Sequence, residues 1–370
     1  MSSEVGSAAA PFQAKAQALA PWLQSQLESM LTQRGHAWLL HGPSGLGQFE
    51  LALACARAWL CESSTGQGAC GQCESCHAID VHTHPDLCAL LPETLALDLG
   101  YPLDSKTQDD LDVKKRKPSK EIKVDAARDM VSFTQFTRSR GTTKVVVVFP
   151  AERMNQITSN TLLKTLEEPP GAVKFILATE AAHQLLPTIR SRCIAHRLVW
   201  PDFGQALAWL QTQTVASVGG AKGQTAPAAA HADLQTVLVS AGGRPADALQ
   251  WLQAAPASEL AQAWEALPAA MRSGNPAALA GWPPSEAIAA LQKLCHDTLA
   301  LHMGASPRYF SRKALGSPDQ VFTAGSNGLI ALAAWSKELA HSACSAEHPY
   351  NPGLMIEHLA SRACLALITK

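Results

Sequence analysis

The chain has 370 residues, a formal net charge of −1 and only 16% charged residues. This length suggests two or three domains with enough material for a buried core. The near-zero net charge excludes a general attraction to nucleic acid, so a DNA contact must come from a local patch or from partner subunits. Because no run of about twenty apolar residues could span a bilayer, we expect a soluble, cytoplasmic protein without membrane contacts.

The chain begins with about 20 small and polar residues, for which we expect a loose lead-in. An amphipathic helix is predicted to open at Pro21, where apolar residues recur at helical spacing. Residues 38–40 are a short apolar run typical of a buried parallel strand, and residues 49–60 continue as a helix. This strand, the loop after it and the helix predict the first unit of a doubly wound α/β sheet.

The loop between this strand and helix has the form of a nucleotide-binding phosphate loop, with glycines at 42, 45 and 47. A working loop needs a lysine that reaches the β- and γ-phosphates and a hydroxyl that holds Mg²⁺. Gln48 and Phe49 stand at those positions. Each change alone would weaken Mg-nucleotide binding severely, so we interpret Gly42, Gly45 and Gly47 as a retained loop without its activity. For the loop alone, an unrelated glycine turn is the alternative.

Four cysteines follow the helix within sixteen residues, and three of them have Cys-x₂-Cys spacing: Cys61, Cys70, Cys73 and Cys76. Four thiolates with flexible glycines between them can surround a tetrahedral Zn²⁺. The alternatives are disulfides or unconnected thiols, but a cytosolic chain keeps its thiols reduced. The spacing therefore predicts one structural zinc ion in a module at residues 61–76.

Residues 93–118 form a polar stretch in which three aspartates precede four basic residues at 114–117. We favour a solvated insertion whose charges partly pair. A DNA-phosphate patch is the alternative, and the acidic neighbours would blunt its attraction for phosphate.

Residues 144–149 contain four consecutive valines and predict a central strand buried on both faces. Most NTPases of this architecture end that strand with acidic residues that hold Mg²⁺ and orient the attacking water. This strand ends in Phe149 and Pro150. A second catalytic element is thus missing, and two independent losses favour a subunit that does not hydrolyse ATP. A helix over 157–168 and a strand over 175–179 are predicted next.

The strand pattern stops after Pro201, and Ala/Leu-rich helical patterns follow. We predict three domains. Residues 1–200 form the α/β core with the inserted zinc module, residues 201–254 a small helical domain with a flexible stretch at 219–230, and residues 255–370 an all-helical domain.

Four stretches together resemble bacterial clamp-loader subunits of the AAA+ superfamily: His-Ala-Trp-Leu-Leu-His-Gly-Pro-Ser-Gly-Leu-Gly at 36–47, the four-cysteine module, Asn-Thr-Leu-Leu-Lys-Thr-Leu-Glu-Glu-Pro-Pro at 160–170 and Arg-Ser-Arg-Cys at 190–193. The degenerate loop makes the chain resemble the delta prime branch, which serves DNA polymerase III. The resemblance implies an AAA+ core with a parallel sheet and flanking helices, a small helical lid and a helical C-terminal collar. It also implies a five-subunit ring with gamma/tau ATPase subunits and a delta subunit, and contact with the sliding clamp and primer-template DNA through that complex.

The same resemblance implies that this chain binds no ATP itself and that Arg192 acts in trans at a neighbouring subunit's ATP site. An ion pair of Arg192 within its own domain is the alternative for that residue. Two other functions also stay open. The chain could be an ATP-hydrolysing loader subunit of the gamma/tau type, which Gln48 and Phe49 argue against. It could be a zinc-dependent nucleic-acid-binding module on an inert scaffold, which the neutral charge argues against.

Overall fold

The computed structural model describes residues 19–113, 115–217, 228–316, 326–344 and 351–368. The chain divides into two units, Met1–Gln205 and Ala206–Lys370. The lead-in expected at the start of the chain, and most of the flexible stretch expected at 219–230, lie outside the described residues.

The first unit contains a sheet of five parallel strands: β1 Ala37–His41, β2 Leu87–Leu90, β3 Lys144–Val148, β4 Val173–Thr179 and β5 Ile194–Arg197. Their order across the sheet is β2-β3-β4-β1-β5. Strand β1 therefore lies between β4 and β5, and its last residue, His41, pairs with Thr179 and Arg197. Ligands of such sheets bind outside the carboxyl ends of the strands, which is where the glycine loop leaves β1.

Eight helices of the described first unit precede or connect these strands: α1 Pro21–Thr32, α2 Gln48–Leu60, α3 Glu74–Asp80, α4 Glu93–Asp98, α5 Ser105–Asp112, α6 Val124–Gln135, α7 Gln156–Glu167 and α8 Pro187–Arg190. Because side chains alternate across a strand, each strand presents residues to both faces of the sheet. On one face Val146 and Phe175 pack with residues of α6 and α7. On the other, Trp38 of β1 contacts Trp59 of α2, with ring centroids 4.7 Å apart. The predicted α/β core with flanking helices is confirmed.

Burial explains why these segments became strands and helices. All five residues of β3 are buried, as the valine run predicted for a central strand. Helix α1 starts at Pro21, where the missing N–H of proline costs no helical hydrogen bond, and buries Leu23, Leu27 and Met30. Its Trp22 indole N–H also donates to the Leu46 carbonyl oxygen at 3.0 Å, so α1 lies directly against the glycine loop.

The second unit is helical throughout its described residues. Helix α9 Phe203–Ser217 crosses from the first unit, and seven more follow: α10 Ala228–Ser240, α11 Pro245–Ala254, α12 Ala257–Arg272, α13 Pro284–His302, α14 Arg312–Leu315, α15 Ser326–Cys344 and α16 Pro352–Ile368. One hydrophobic cluster joins α9, α10 and α11, and a larger one joins α12 to α16. The predicted domain boundaries at 200/201 and 254/255 stay predictions. None of the described helices is long and apolar enough to cross a membrane.

Candidate functional site

The glycine loop after β1 keeps the backbone geometry of a phosphate loop. Gly45 and Gly47 have φ of 75° and 98°, a region that glycine adopts at little cost. A Cβ atom at Gly47 would lie 2.6 Å from Leu23 Cδ1, so helix α1 also excludes a larger residue there. The loop leads directly into α2, and Gln48 and Phe49 are the first two residues of that helix.

In a working loop, a lysine at position 48 would reach towards the phosphates. The side chain of Gln48 instead packs inside the loop. Its side chain is 2% exposed, and its Nε2 donates to the carbonyl oxygens of Gly42 at 2.9 Å and Pro43 at 2.6 Å. An amide nitrogen has two N–H bonds, and both are used inside the loop. Gln48 therefore supplies no cation and no spare donor to a bound phosphate.

Phe49, which stands at the sequence position of the Mg²⁺-binding hydroxyl, stacks on Phe149 at the end of β3. Their ring centroids are 5.3 Å apart with an interplanar angle of 29°. Tyr101 meets the edge of Phe49 at 6.5 Å, and His82 stacks on Tyr101 at 3.9 Å. Burial raises the pKa of Tyr101 to about 12 and lowers the pKa of His82 below its usual value, so both side chains favour their neutral forms. The two sequence departures at the glycine loop and at the end of β3 thus meet in one apolar contact.

The four cysteines at 61, 70, 73 and 76 come together beside the sheet, with all four Sγ atoms within 4.8 Å of one another. The Sγ atoms of Cys61 and Cys73 are 3.8 Å apart, too far for a disulfide, and all four thiols are free. Four sulfurs in a tetrahedron with metal–sulfur bonds of about 2.3 Å lie about 3.8 Å apart. The cluster therefore has the donor set and nearly the spacing of a metal site.

Backbone N–H groups of the module donate to these sulfurs. The amides of Gln72 and Cys73 both reach Cys70 Sγ at 3.4 Å, and the Cys70 amide reaches Cys61 Sγ at 3.3 Å. Hydrogen bonds from Gln72 and Cys73 lower the pKa of Cys70 to about 6, because they favour the thiolate. Since the thiolate is the form that binds metal, these hydrogen bonds favour metal binding at Cys70, whereas burial raises the pKa of Cys61 and raises that of Cys76 to about 12.

Ion pairs fix the module to the core. Asp80 at the end of α3 pairs with Arg57 of α2, and Glu74 pairs with Arg140 at 2.6 Å. The loop that carries Arg140 is held by the buried Asp86, whose carboxylate accepts the Ser139 backbone N–H at 2.9 Å. Arg140 is thereby engaged by an acidic residue of the module.

Arg192 follows helix α8 and forms an ion pair within its own unit. Its Nε and Nη2 contact Glu167 at the end of α7, and its Nη1 donates to the Thr188 carbonyl oxygen at 2.7 Å. The side chain remains 33% exposed. The intradomain ion pair left open by the sequence is therefore present, and the action of Arg192 on a neighbouring subunit stays a prediction.

Charged side chains in the described part of the stretch at 93–118 form ion pairs with one another and with nearby residues. Glu93 is 8% exposed and accepts hydrogen bonds from Arg116 and from the Ser119 backbone N–H, and Lys123 lies 2.6 Å from its carboxylate. Lys115 pairs with Asp110 at 3.1 Å. These contacts support the solvated-insertion interpretation, although the segment also contains α4 and α5. Lys114 lies outside the described residues.

We expect Glu93→Gln to lower the free energy of unfolding at pH 7 by about 1–3 kcal/mol, because it leaves two cations without their buried carboxylate. Burial alone would raise the pKa of Glu93, but Arg116, Lys123 and Ser119 outweigh it and hold the pKa at about 2. The stabilisation is therefore complete above the ordinary pKa of 4.5 and is lost as pH falls towards 2. Urea unfolding of the full chain at pH 7 and pH 3 should show the variant's deficit shrinking in acid. Equal loss in the exposed control Glu121→Gln would contradict this account.

Comparison with known proteins finds relatives that match the first part of this chain. Residues 17–200 match the family model described as "DNA polymerase III, delta subunit". A Pseudomonas aeruginosa protein named DNA polymerase III subunit delta' is 38% identical over 193 residues, which are 51% of this chain and 52% of that protein. Residues 17–200 belong to the AAA+ clamp-loader family. An Escherichia coli protein of the same name is 34% identical over 202 residues, 53% of this chain and 54% of that protein.

Proteins named as tau and gamma subunits of DNA polymerase III also match this chain. An Escherichia coli protein named DNA polymerase III subunit tau is 32% identical over 170 residues, 46% of this chain and 22% of that protein. The aligned part of this chain spans about half the length of the delta' relatives.

Sequence reasoning did not identify three features of the candidate site and its surroundings. The structure supplied the hydrogen bonds of Gln48 to the loop, the burial of Glu93 and the identity of Glu167 as the intradomain partner of Arg192. One signal was available: Glu167 ends a helix, where the dipole disfavours an anion, so a cation had to lie nearby.

Proposed function

We propose that this chain is the delta prime-type subunit of a bacterial clamp loader for DNA polymerase III. In this role it joins gamma/tau ATPase subunits and a delta subunit in a five-subunit ring that places a sliding clamp around primer-template DNA. It hydrolyses no ATP itself and presents Arg192 to the nucleotide of a neighbouring subunit. The helices of 201–254 would form the lid, and those of 255–370 the collar that holds the ring together.

The observation that carries the proposal is the filled phosphate loop. Gln48 hydrogen-bonds to the loop carbonyls, and the rings of Phe49 and Phe149 stack at the sequence positions where a working site has its Mg²⁺-binding hydroxyl and carboxylate. A chain that keeps the AAA+ fold while closing its own site is suited to a regulatory subunit whose contribution to hydrolysis comes from its surface. The family match over 17–200 supports the same role.

Zinc is the metal we propose for the four-cysteine cluster, in a structural role. Cys61, Cys70, Cys73 and Cys76 supply four thiolates, which leave no open position for a catalytic water. When bound, the ion would hold the segment after α2 closed by cross-linking it, and the ion pairs of Glu74 and Asp80 would keep the module on the core.

Exposed apolar side chains support the collar as an assembly surface. Ile330 of α15 and Leu354 and Leu365 of α16 are each more than half exposed. Large exposed apolar residues on adjacent helices are typical of protein–protein contacts. We expect this surface to be covered when the ring assembles.

The assembly itself tests the proposal. The purified chain should be mixed with gamma/tau and delta subunits, and the product weighed by native mass spectrometry. A single complex containing one copy of this chain is the expected result. If the chain stays free while the other subunits assemble, the proposed function is wrong.

We also expect the isolated chain to give a flat calorimetric titration with Mg-ATP at ordinary concentrations, because Gln48 supplies no cation and Phe149 no carboxylate. A gamma/tau subunit measured under the same conditions provides the positive control. Binding in the micromolar range, or hydrolysis above background, would mean that the chain is an ATPase-type subunit.

A further inference from the structure

The guanidinium of Arg192 is held at a fixed place on the surface of the first unit. Glu167 Oε1 accepts from both Nε and Nη2, and the Thr188 carbonyl oxygen accepts from Nη1 at 2.7 Å. The remaining contact found for the group among the described residues is Ser191 Oγ, at 3.4 Å from Nη1. A guanidinium has five N–H bonds, so this arrangement leaves donor capacity for an anion from outside the chain.

Rigid elements carry both partners of this ion pair. Glu167 is the last residue of α7, and Leu162 and Leu166 of that helix are fully buried in the core. Ile189 of α8 is equally buried and lies three residues before Arg192. The carboxylate and the guanidinium therefore meet because two packed helices end side by side.

The ion pair is poorly placed to serve stability. Glu167 and Arg192 are 46% and 33% exposed, and surface pairs of this kind contribute little to folding. A free arginine side chain has many rotamers, however, and a pair that selects one of them prepares the guanidinium for its target.

We propose that Glu167 is a positioning residue for Arg192: it orients the guanidinium so that the donors left over can contact the γ-phosphate of a nucleotide bound to the neighbouring subunit. This inference rests on the proposed function, in which Arg192 acts in trans. Glu167 itself touches no nucleotide and acts only through Arg192. Neutralising Glu167 should therefore slow hydrolysis without weakening nucleotide binding.

The test uses the loader reconstituted with Glu167→Gln and measures clamp- and DNA-stimulated ATP hydrolysis. We expect hydrolysis at the site next to this chain to slow by about 5–30-fold, the range given by the rotamer freedom that Arg192 regains, with KM for ATP nearly unchanged. The summed rate of the loader should fall less, because its other ATPase sites keep working. Glu168→Gln is the matched control, because it removes the same charge from the next residue of the same chain segment. Glu167→Asp, which keeps the charge, should retain more activity than Glu167→Gln.

A double variant separates positioning from a purely structural effect. In an Arg192→Ala background, Glu167→Gln should cause no further loss, since its target is already absent. Additive losses, an unchanged kcat in Glu167→Gln, or a faster enzyme would each overturn the positioning proposal. If Arg192→Ala alone leaves hydrolysis unchanged, the action in trans fails instead, so the two failures are distinguishable.

Discussion

Replacing Cys73 and Cys76 by serine is expected to reduce bound zinc from one ion per chain to near zero and to unfold the segment at 61–76. Structural zinc binding in small modules is worth about 10–16 kcal/mol, so the local effect should be the largest of any substitution considered for this chain. Metal analysis of the purified protein measures the zinc. Hydrogen exchange of the module's amides measures its unfolding, which we expect to leave the protection of β3 and β4 intact.

The physical reason is the loss of metal ligands. The variant keeps only two of the four clustered sulfurs, so it cannot surround a tetrahedral ion that cross-links the module. Cys344→Ser is the matched control, because that thiol is exposed on α15 and lies outside the cluster. Undiminished zinc in the double variant would place the metal elsewhere and refute the four-cysteine site.

Replacing Arg192 by alanine is expected to reduce clamp- and DNA-stimulated ATP hydrolysis of the reconstituted loader, by about 10³-fold or more at the neighbouring site. Arginines supplied in trans are worth about 10³–10⁵ in the GTPases where they have been measured. The total rate should fall less, because other ATPase sites in the ring continue to work. Zinc content, fold and ring assembly should be unchanged, since a half-exposed ion pair contributes little to stability.

The control for this variant is Arg128→Ala, which removes another exposed arginine that is paired with a carboxylate in the same unit, Asp125. Arg192→Lys should also be slow, because a lysine keeps the charge but cannot reproduce the planar contact with Glu167 and phosphate together. A loader that assembles with Arg192→Ala and hydrolyses ATP at the normal rate would show that the intradomain ion pair is the whole role of this residue.

The strands that could be predicted are those with a strong apolar signal. The valine run of β3 and the apolar runs of β1 and β4 identified buried central strands. Strands β2 and β5 were not predicted: Leu87–Leu90 is only four residues long, and Ile194–Arg197 is an edge strand whose residues are mostly exposed. The exposed strand β5 has little need of an apolar pattern, and the four apolar residues of β2 are too few to distinguish a strand from a turn of helix.

Some features of the candidate site could likewise be predicted from local sequence, and others depend on tertiary contacts. The cysteine spacing is visible in a short stretch of sequence. So is the replacement of the expected lysine and hydroxyl by Gln48 and Phe49. The stacking of Phe49 on Phe149 and the pairing of Arg192 with Glu167 join residues 100 and 25 positions apart. Such contacts depend on which strands are neighbours in the sheet and on where two helices end, and neither property is encoded in local spacing.

The most direct test of the central claim is a count of the nucleotides held by the assembled loader. The chain should be assembled with gamma/tau and delta subunits in the presence of a non-hydrolysable ATP analogue, and the complex weighed by native mass spectrometry. We expect one nucleotide bound to each gamma/tau subunit and none bound to this chain. A complex with an additional nucleotide bound to this chain would contradict the claim that its own site is closed and that it acts on ATP only from its surface.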